Sequence, residues 1–295
     1  LMLRYGVARN VLNVLPMSSD KRTDPKEGSD PEPVFVGEGV EGTDVTPTDD
    51  STVTLTARKL MSILLWSSEL AEDAIAEFGD SMMRRMANGF AKKEDDCAFL
   101  GDGTSTYGGM IGIRTKLRDF DGAGTASAGL VTGTTAAGAW GGFAITDFEE
   151  VVALLPDYAM AADDQSAWIC HRTFYYQTMV RLEIAQGGSP GVEVRDGFRQ
   201  PLFLGWPVIF SNSYPKTGAV DSVVATFGDH RRCANFGDRR AYSVSFSDQA
   251  TIGSVNLFSS DQVAVKATER FDIAVHSVGD ATNAGPVIGL QTDPT

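Results

Sequence analysis

The side chains of this chain that could do chemistry are few and far apart. Its glycine-rich run Gly101-Asp102-Gly103-Thr104-Ser105-Thr106-Tyr107-Gly108-Gly109 has the suppleness of a phosphate-binding loop. Such a loop follows a strand and ends in Gly-Lys-Ser/Thr, whose lysine meets the phosphates. Here the run follows a helical pattern and contains no lysine, so it reads as a structural turn. Asp119-Phe120-Asp121-Gly122 has the opening of a calcium loop, but the remaining ligands and the twelfth-position glutamate are missing, and it too reads as a turn. His171, His230 and His276 are scattered. His230 and Cys233 have zinc-ligand spacing without a second pair to complete four ligands. Neither a strand-to-helix nucleophile elbow nor a His-Glu-x-x-His pair is found. Asp95-Asp96 and Asp163-Asp164 are neighbours whose side chains diverge on a helix, so they read as solvated surface and not as an acid with its base. No catalytic residue, cofactor site or metal site is expected.

Charge is distributed more tellingly. The 295 residues carry a formal net charge of −14, with 42% hydrophobic and 22% charged residues, a globular balance. A dedicated nucleic-acid binder needs clustered Lys and Arg to neutralise phosphate, and this acidic balance argues against one. Residues 1–26 are mildly basic, with Arg4, Arg9, Lys21, Arg22 and Lys26. Residues 27–57 then hold eight acids (Glu27, Asp30, Glu32, Glu38, Glu41, Asp44, Asp49 and Asp50) and neither Lys nor Arg. The opposite sign gathers at His230-Arg231-Arg232 and Arg239-Arg240. That cluster reads either as a receptor for acidic groups, phosphate or a neighbour's carboxylates, or as two exposed turns flanking strands. Cys97, Cys170 and Cys233 are far apart and suit buried thiols in a reducing compartment. The longest apolar runs, such as Ile63-Leu64-Leu65-Trp66, are too short to span a bilayer. Arg4 and Arg9 interrupt the first apolar stretch, so no secretory leader is expected.

The elements that must position these charges follow from periodicity. Pro25, Pro31, Pro33 and Pro47 with Gly37, Gly39 and Gly42 keep the acidic stretch out of helix. Val34-Phe35-Val36 and Val53-Thr54-Leu55-Thr56 read as the two strands of a long acidic hairpin standing off the body. Ser67 or Ser68 then caps a helix reaching to about Leu100, with Glu69, Glu72 and Asp73 in its first turns. Its stripe is Leu70, Ala74, Ile75, Phe78, Met82 and Met86, with Gly79 and Gly89 as weak points. A second helix is expected at Thr146–Met160, with a Thr146–Glu149 capping box and Pro156 as breaker, and a third at Arg172–Ile184. Strands are expected at Ala167–Cys170, at Phe203–Phe210 interrupted by Pro207 and so at an edge or bulge, and at Val223–Phe227 and Tyr242–Phe246. Another runs from Val263–Val265 towards Ile273–Val275. Helices and strands mix without βα alternation, which gives class α+β.

The order of these parts resembles the Hong Kong 97-type major capsid proteins of tailed phages across nearly the whole chain. The matching fragments are Val36-Gly37-Glu38-Gly39, the Ser68–Asp73 run, Ala98-Phe99-Leu100-Gly101-Asp102-Gly103 and Gly108-Gly109-Met110-Ile111-Gly112-Ile113. Later come Leu204-Gly205-Trp206-Pro207-Val208, Phe227-Gly228-Asp229, Asp238-Arg239-Arg240 and Thr268-Glu269-Arg270-Phe271-Asp272. The resemblance implies an N-terminal arm (1–32), an extended hairpin loop (33–60) and a peripheral domain (61–135) with a spine helix at about 68–100. It further implies an axial domain (136–254), a returning strand (255–278) and a C-terminal segment (279–295). It implies hexamers and pentamers of an icosahedral shell enclosing double-stranded DNA without sequence-specific binding, and scaffold, portal and decoration proteins as partners. It implies no membrane partner, and places the protein in the virion after assembly in the host cytoplasm. An encapsulin-like nanocompartment, a gene transfer agent capsid and an unrelated α+β enzyme are the alternatives. On the shell reading, the expected subunit-interface residues are Glu38, Glu41, Asp44, Asp49 and Asp50 against Arg84, Arg85, Arg231, Arg232, Arg239 and Arg240 of a neighbour.

Overall fold

The computed structural model describes residues 6–26, 33–42, 52–67, 69, 77–134, 138–160, 166–188, 191–195, 198–253 and 255–293. A short helix α1 (Val7–Val11) leads into β1 (Asn13–Pro16), β2 (Lys21–Pro25), β3 (Thr52–Thr56) and β4 (Arg58–Ser67). The long helix α2 (Glu77–Leu100) follows, then α3 (Ile113–Arg118), β5 (Leu130–Thr132), α4 (Ile145–Ala153), α5 (Asp157–Met160) and β6 (Ala167–Cys170). Helix α6 spans 172–185 and is π-helical over Tyr175–Met179. Strands β7 (Val192–Arg195), β8 (Phe198–Phe203), β9 (Trp206–Phe210) and β10 (Val223–Gly228) precede the single turn α7 (His230–Cys233). The chain closes with β11 (Ala234–Ser247), a small ribbon β12 (Thr251–Ile252) and β13 (Val255–Asn256), then β14 (Gln262–Val275) and β15 (Val287–Gln291).

Two sheets organise these elements. The first has the order β1-β11-β14-β4 and the second β5-β15-β10-β6-β9-β8-β7. Strands β11 and β14, of 14 residues each, run antiparallel from Ala234↔Val275 to Ser247↔Ala264. Tyr242–Phe246 is thus one part of a longer strand, and Val263–Val265 continues unbroken to Val275. Helix α2 lies on the first sheet through Met86 and Phe90, which pack on Val265 and Ala267 with Leu60, Leu64, Trp66 and Met83. Phe99, Ile113, Leu117, Phe236 and Phe271 form a second core linking α2, α3 and the sheet, and the rings of Phe236 and Phe271 stack at 5.4 Å. The seven-stranded sheet has an aromatic core of Phe148, Trp168, Phe174, Phe203 and Phe227.

Several local expectations need correction. Ser67 does not cap a helix, because β4 runs through it, paired with Gln262. An alternating apolar pattern and a partner strand outweigh the Ser signal there. Residues 68 and 70–76, and with them Leu70, Glu72, Asp73, Ala74 and Ile75, lie outside the described residues, as does the Phe78 side chain. Val34-Phe35-Val36 lies in no strand, and β3 pairs instead with β2, Lys21↔Thr56 to Pro25↔Thr52. The second helix breaks at Pro156 as expected, but it starts at Ile145: Asp147 accepts the Ala144 N–H at 2.8 Å, so Thr146 and Glu149 do not form the box. Phe203–Phe210 is a hairpin and not one interrupted strand, turning at Leu204 and Gly205, both with positive φ. Pro207 sits on an interior strand, yet opposite Leu202 and just before the β6 pairing begins at Val208. The glycine run after α2 is a structural turn. A Cβ at Gly101 would lie 2.6 Å from the Met110 carbonyl oxygen and one at Gly112 2.6 Å from the Phe99 carbonyl carbon, so this crossing requires glycine at both positions.

Candidate assembly interface

Beside β4, the outermost strand of the first sheet among the described residues, a groove of about 510 Å³ opens between that strand and α2. Strand β4 forms because Leu60, Ser62, Leu64 and Trp66 alternate with Met61, Ile63 and Leu65. The first set turns half-buried towards α2 and the second is exposed on the other face. Met86 and Phe90, buried, make the groove floor, Leu60 and Leu64 one wall, and Met82, Arg85 and Lys93 line the helix side. Gly89 also lines it, and a Cβ there would meet no atom within 4 Å. Arg84 and Arg85 are exposed, and among the described residues neither has a carboxylate partner. Lys93 lies 4.7 Å over the Tyr107 ring.

The acidic segment is partly described. Glu38 and Glu41 are exposed on a loop closed by a Val40 N–H to Gly37 carbonyl bond of 3.1 Å. Asp44, Asp49 and Asp50 lie outside the described residues. The same loop holds Val34, Phe35, Val36 and Val40 in solvent, with Phe35 at 105% of full exposure.

Half of the second basic cluster already meets acids of its own chain. Arg232 pairs with Asp229 at 3.3 Å, and Arg239 with Asp20 at 3.5 Å. Asp20 also accepts from Arg270 at 3.0 Å, and that bond with the Arg270 charge holds its carboxyl below the ordinary value. Arg231 and Arg240 are exposed with no carboxylate partner among the described residues. His230-Arg231-Arg232 is not an open turn but the helical turn α7, capped by Asp229, which accepts the Arg231 N–H at 3.0 Å. His230 is buried, 3.0 Å from the Thr226 hydroxyl, and burial pushes its imidazole down to about 4, so it adds no charge at neutral pH.

Behind the interface lies a cluster that the sequence reading missed. Asp95 is 1% exposed and accepts the N–H groups of Gly6 and Ala8, each at 2.8 Å, so it is an anchor for α1 and not solvated surface. Burial raises its carboxyl to about 6 against those bonds. Arg9 meets Glu94, Asp238 and Glu269, the last through its other terminal nitrogen, and stacks 4.6 Å over Phe236. Glu94 and Glu269 are 3% and 2% exposed. Burial, then the hydrogen bond to Glu94 and its charge, pushes Glu269 up to about 8. Burial and the neighbouring Glu94 carboxylate thus favour the protonated form of Glu269. Sequence spacing could not have found this group, because its members come from positions 9, 94, 238 and 269.

What these features offer is recognition: exposed apolar side chains, an outermost strand, and arginines without a carboxylate partner among the described residues. Three natural cysteines are buried, and among the described residues no group of three His, Cys, Asp or Glu side chains could hold a metal. No helix described is long and apolar enough to cross a membrane.

No curated protein matches the sequence. Among solved structures, the chain is similar to one from Mycobacterium phage Adephagia, at 20% identity and a TM-score of 0.68, covering 100% of this chain and 92% of that one. The capsid of an empty GTA particle gives 18% identity and a TM-score of 0.73, covering 99% and 91%. A chain of Microbacterium phage Oxtober96 gives 17% and 0.69, covering 98% and 91%. At these identities the likeness establishes a shared mixed α and β fold. The family model described as the phage capsid family matches residues 1–278, and the chain is a member of the phage capsid family, a structural protein and not an enzyme.

Proposed function

We propose that this major capsid protein forms the hexamers and pentamers of an icosahedral head with the Hong Kong 97-like fold, enclosing double-stranded DNA without reading its sequence. The observation that carries this reading is the family match over residues 1–278, supported by end-to-end likeness to phage chains and to a GTA capsid. A net charge of −14 fits a wall that surrounds DNA without gripping it. Assembly then takes place in the host cytoplasm, with scaffold, portal and decoration proteins as further partners. A gene transfer agent capsid is a second reading, favoured by the GTA match, and sequencing the packaged DNA separates the two.

On this reading the acidic loop, with Glu38 and Glu41 and the further acids Asp44, Asp49 and Asp50, meets basic residues of the next copy. Of the arginines considered, Arg84 and Arg85 suit the role better than Arg232 and Arg239, which already pair within their own chain. Arg231 and Arg240 remain candidates. One exposed pair contributes only about 0–1 kcal/mol, but every contact of a closed shell repeats it.

The test measures pelletable assembly against salt for the parent, for Glu38→Lys with Glu41→Lys, and for that pair combined with Arg84→Glu and Arg85→Glu. The acidic-loop variant should lose assembly most at low salt, where screening is least, and the combined variant should regain part of it. Equal yields for all three chains would remove the charge pairing, and a parent that never pellets would remove the shell.

A further inference from the structure

We propose that Arg114 and Arg118 of α3, with the Ser222 hydroxyl, form a binding site for a phosphate group, either free or part of a nucleic-acid backbone. The site shares no residue with the candidate assembly interface and does not depend on the shell reading.

Arg114 is a partly buried cation that meets no carboxylate among the described residues. One terminal nitrogen donates to the Ser213 carbonyl at 3.0 Å and the other to the Ser222 hydroxyl at 3.4 Å. The guanidinium lies 5.4 Å from the centre of the Tyr214 ring, and that tyrosine is fixed in turn by a 2.6 Å bond to Thr226. The side chain is therefore held in place, yet every partner it has is neutral. Its Nε is shielded from solvent without an acceptor. Burial, with the like charge of Arg118, lowers the guanidinium below its ordinary value. Positive charge withdrawn from water and left unpaired is costly, and an anion relieves that cost.

The surroundings fit one kind of anion. Arg118 stands four residues on, so the two side chains leave the same face of α3 about 5–6 Å apart. Arg118 pairs with Asp221, both half in solvent, so one carboxylate serves two arginines. The Ser222 hydroxyl accepts from Arg114, which leaves its own proton to donate. Two guanidinium groups and a hydroxyl offer donors from several directions. A planar carboxylate is satisfied by a single arginine fork, whereas a phosphate has oxygens for all three groups.

The test measures the melting temperature of the full chain in inorganic phosphate against chloride of equal ionic strength. The parent is compared with Arg118→Gln and with Asp221→Asn, a change suited to the left-handed backbone there, φ 50°. Phosphate should raise the melting temperature of the parent. The rise should be larger in Asp221→Asn, where the competing acid is gone, and at least about twofold smaller in Arg118→Gln. General salt stabilisation moves all three proteins alike, and equal rises would overturn the site. Fluorescence anisotropy of a labelled duplex oligonucleotide then separates the two sources. Duplex binding that strengthens in Asp221→Asn and weakens in Arg118→Gln assigns the site to a nucleic-acid backbone. Duplex binding indifferent to both substitutions, with the phosphate response intact, assigns it to free phosphate.

Discussion

Arg9 grips Glu94 with its Nε, 2.9 and 3.0 Å from the two carboxylate oxygens, while its terminal nitrogens reach Asp238 and Glu269. One cation therefore serves three carboxylates, and burial with the neighbouring Glu94 pushes Glu269 up to about 8, which eases the excess of negative charge. The unfolded chain gives up the Glu269 proton near the ordinary value of 4.5. Between these values the folded state binds more protons than the unfolded one, so stability falls as pH rises through the window. Asp95 acts with the same sign but is already ionised above about 6. Melting temperature should therefore decline between about pH 6.5 and about pH 8 in the parent, and less in Glu269→Gln. Parallel curves for the two proteins would show that Glu269 titrates no higher in the folded chain.

Asp95 ties α1 to α2 through two backbone N–H groups. Asp95→Ala leaves both donors without a partner, and a buried unsatisfied donor costs about 1–3 kcal/mol. Urea denaturation should show that loss, and amide exchange should quicken at residues 6–12 before elsewhere. Unchanged exchange at these residues would mean that apolar burial of Ala8 and Leu12 alone holds the segment.

Helix α2 is held by its apolar stripe and presents its arginines outward. Phe90→Ala should cost about 3–5 kcal/mol, since it removes a buried ring that also meets Tyr242 edge-on at 5.1 Å. Arg84→Ala, on an exposed position, should change stability by less than about 0.5 kcal/mol. Thermal or urea unfolding of the two variants checks the contrast, and equal losses would place the stripe on the wrong face.

Residues 27–57 contain no lysine, so no amine in the acidic stretch is available to bond covalently to a neighbour. Boiled and denatured particles should migrate as one band near the 31.6 kDa monomer. A ladder that survives reducing agent would contradict a wall held by non-covalent contacts alone.

How much of this was legible in the sequence depended on the range of the signal. The β6 strand, the α4 break at Pro156 and the tight turn after α2 were readable because periodicity, proline and glycine act over a few residues. Ser67 looked like a helix cap locally, while its pairing to Gln262 comes from almost 200 residues away. Val34–Val36 read as a strand from composition, and composition says nothing of whether a partner is present in the same chain. The acidic loop and the arginines were visible as charge, but Arg239 and Arg232 could not be seen to be engaged, because Asp20 and the cap geometry of Asp229 appear only on folding. The Arg9 cluster was illegible for the same reason.

The central claim, that this chain builds a closed shell, is tested most directly by negative-stain electron microscopy of the purified full-length protein across protein concentration and salt. Closed particles of uniform diameter, with sixfold and fivefold clusters of copies in their class averages, are the expected result. A protein that stays monomeric or dimeric under every condition, with no curved or closed assembly in the images, would contradict it.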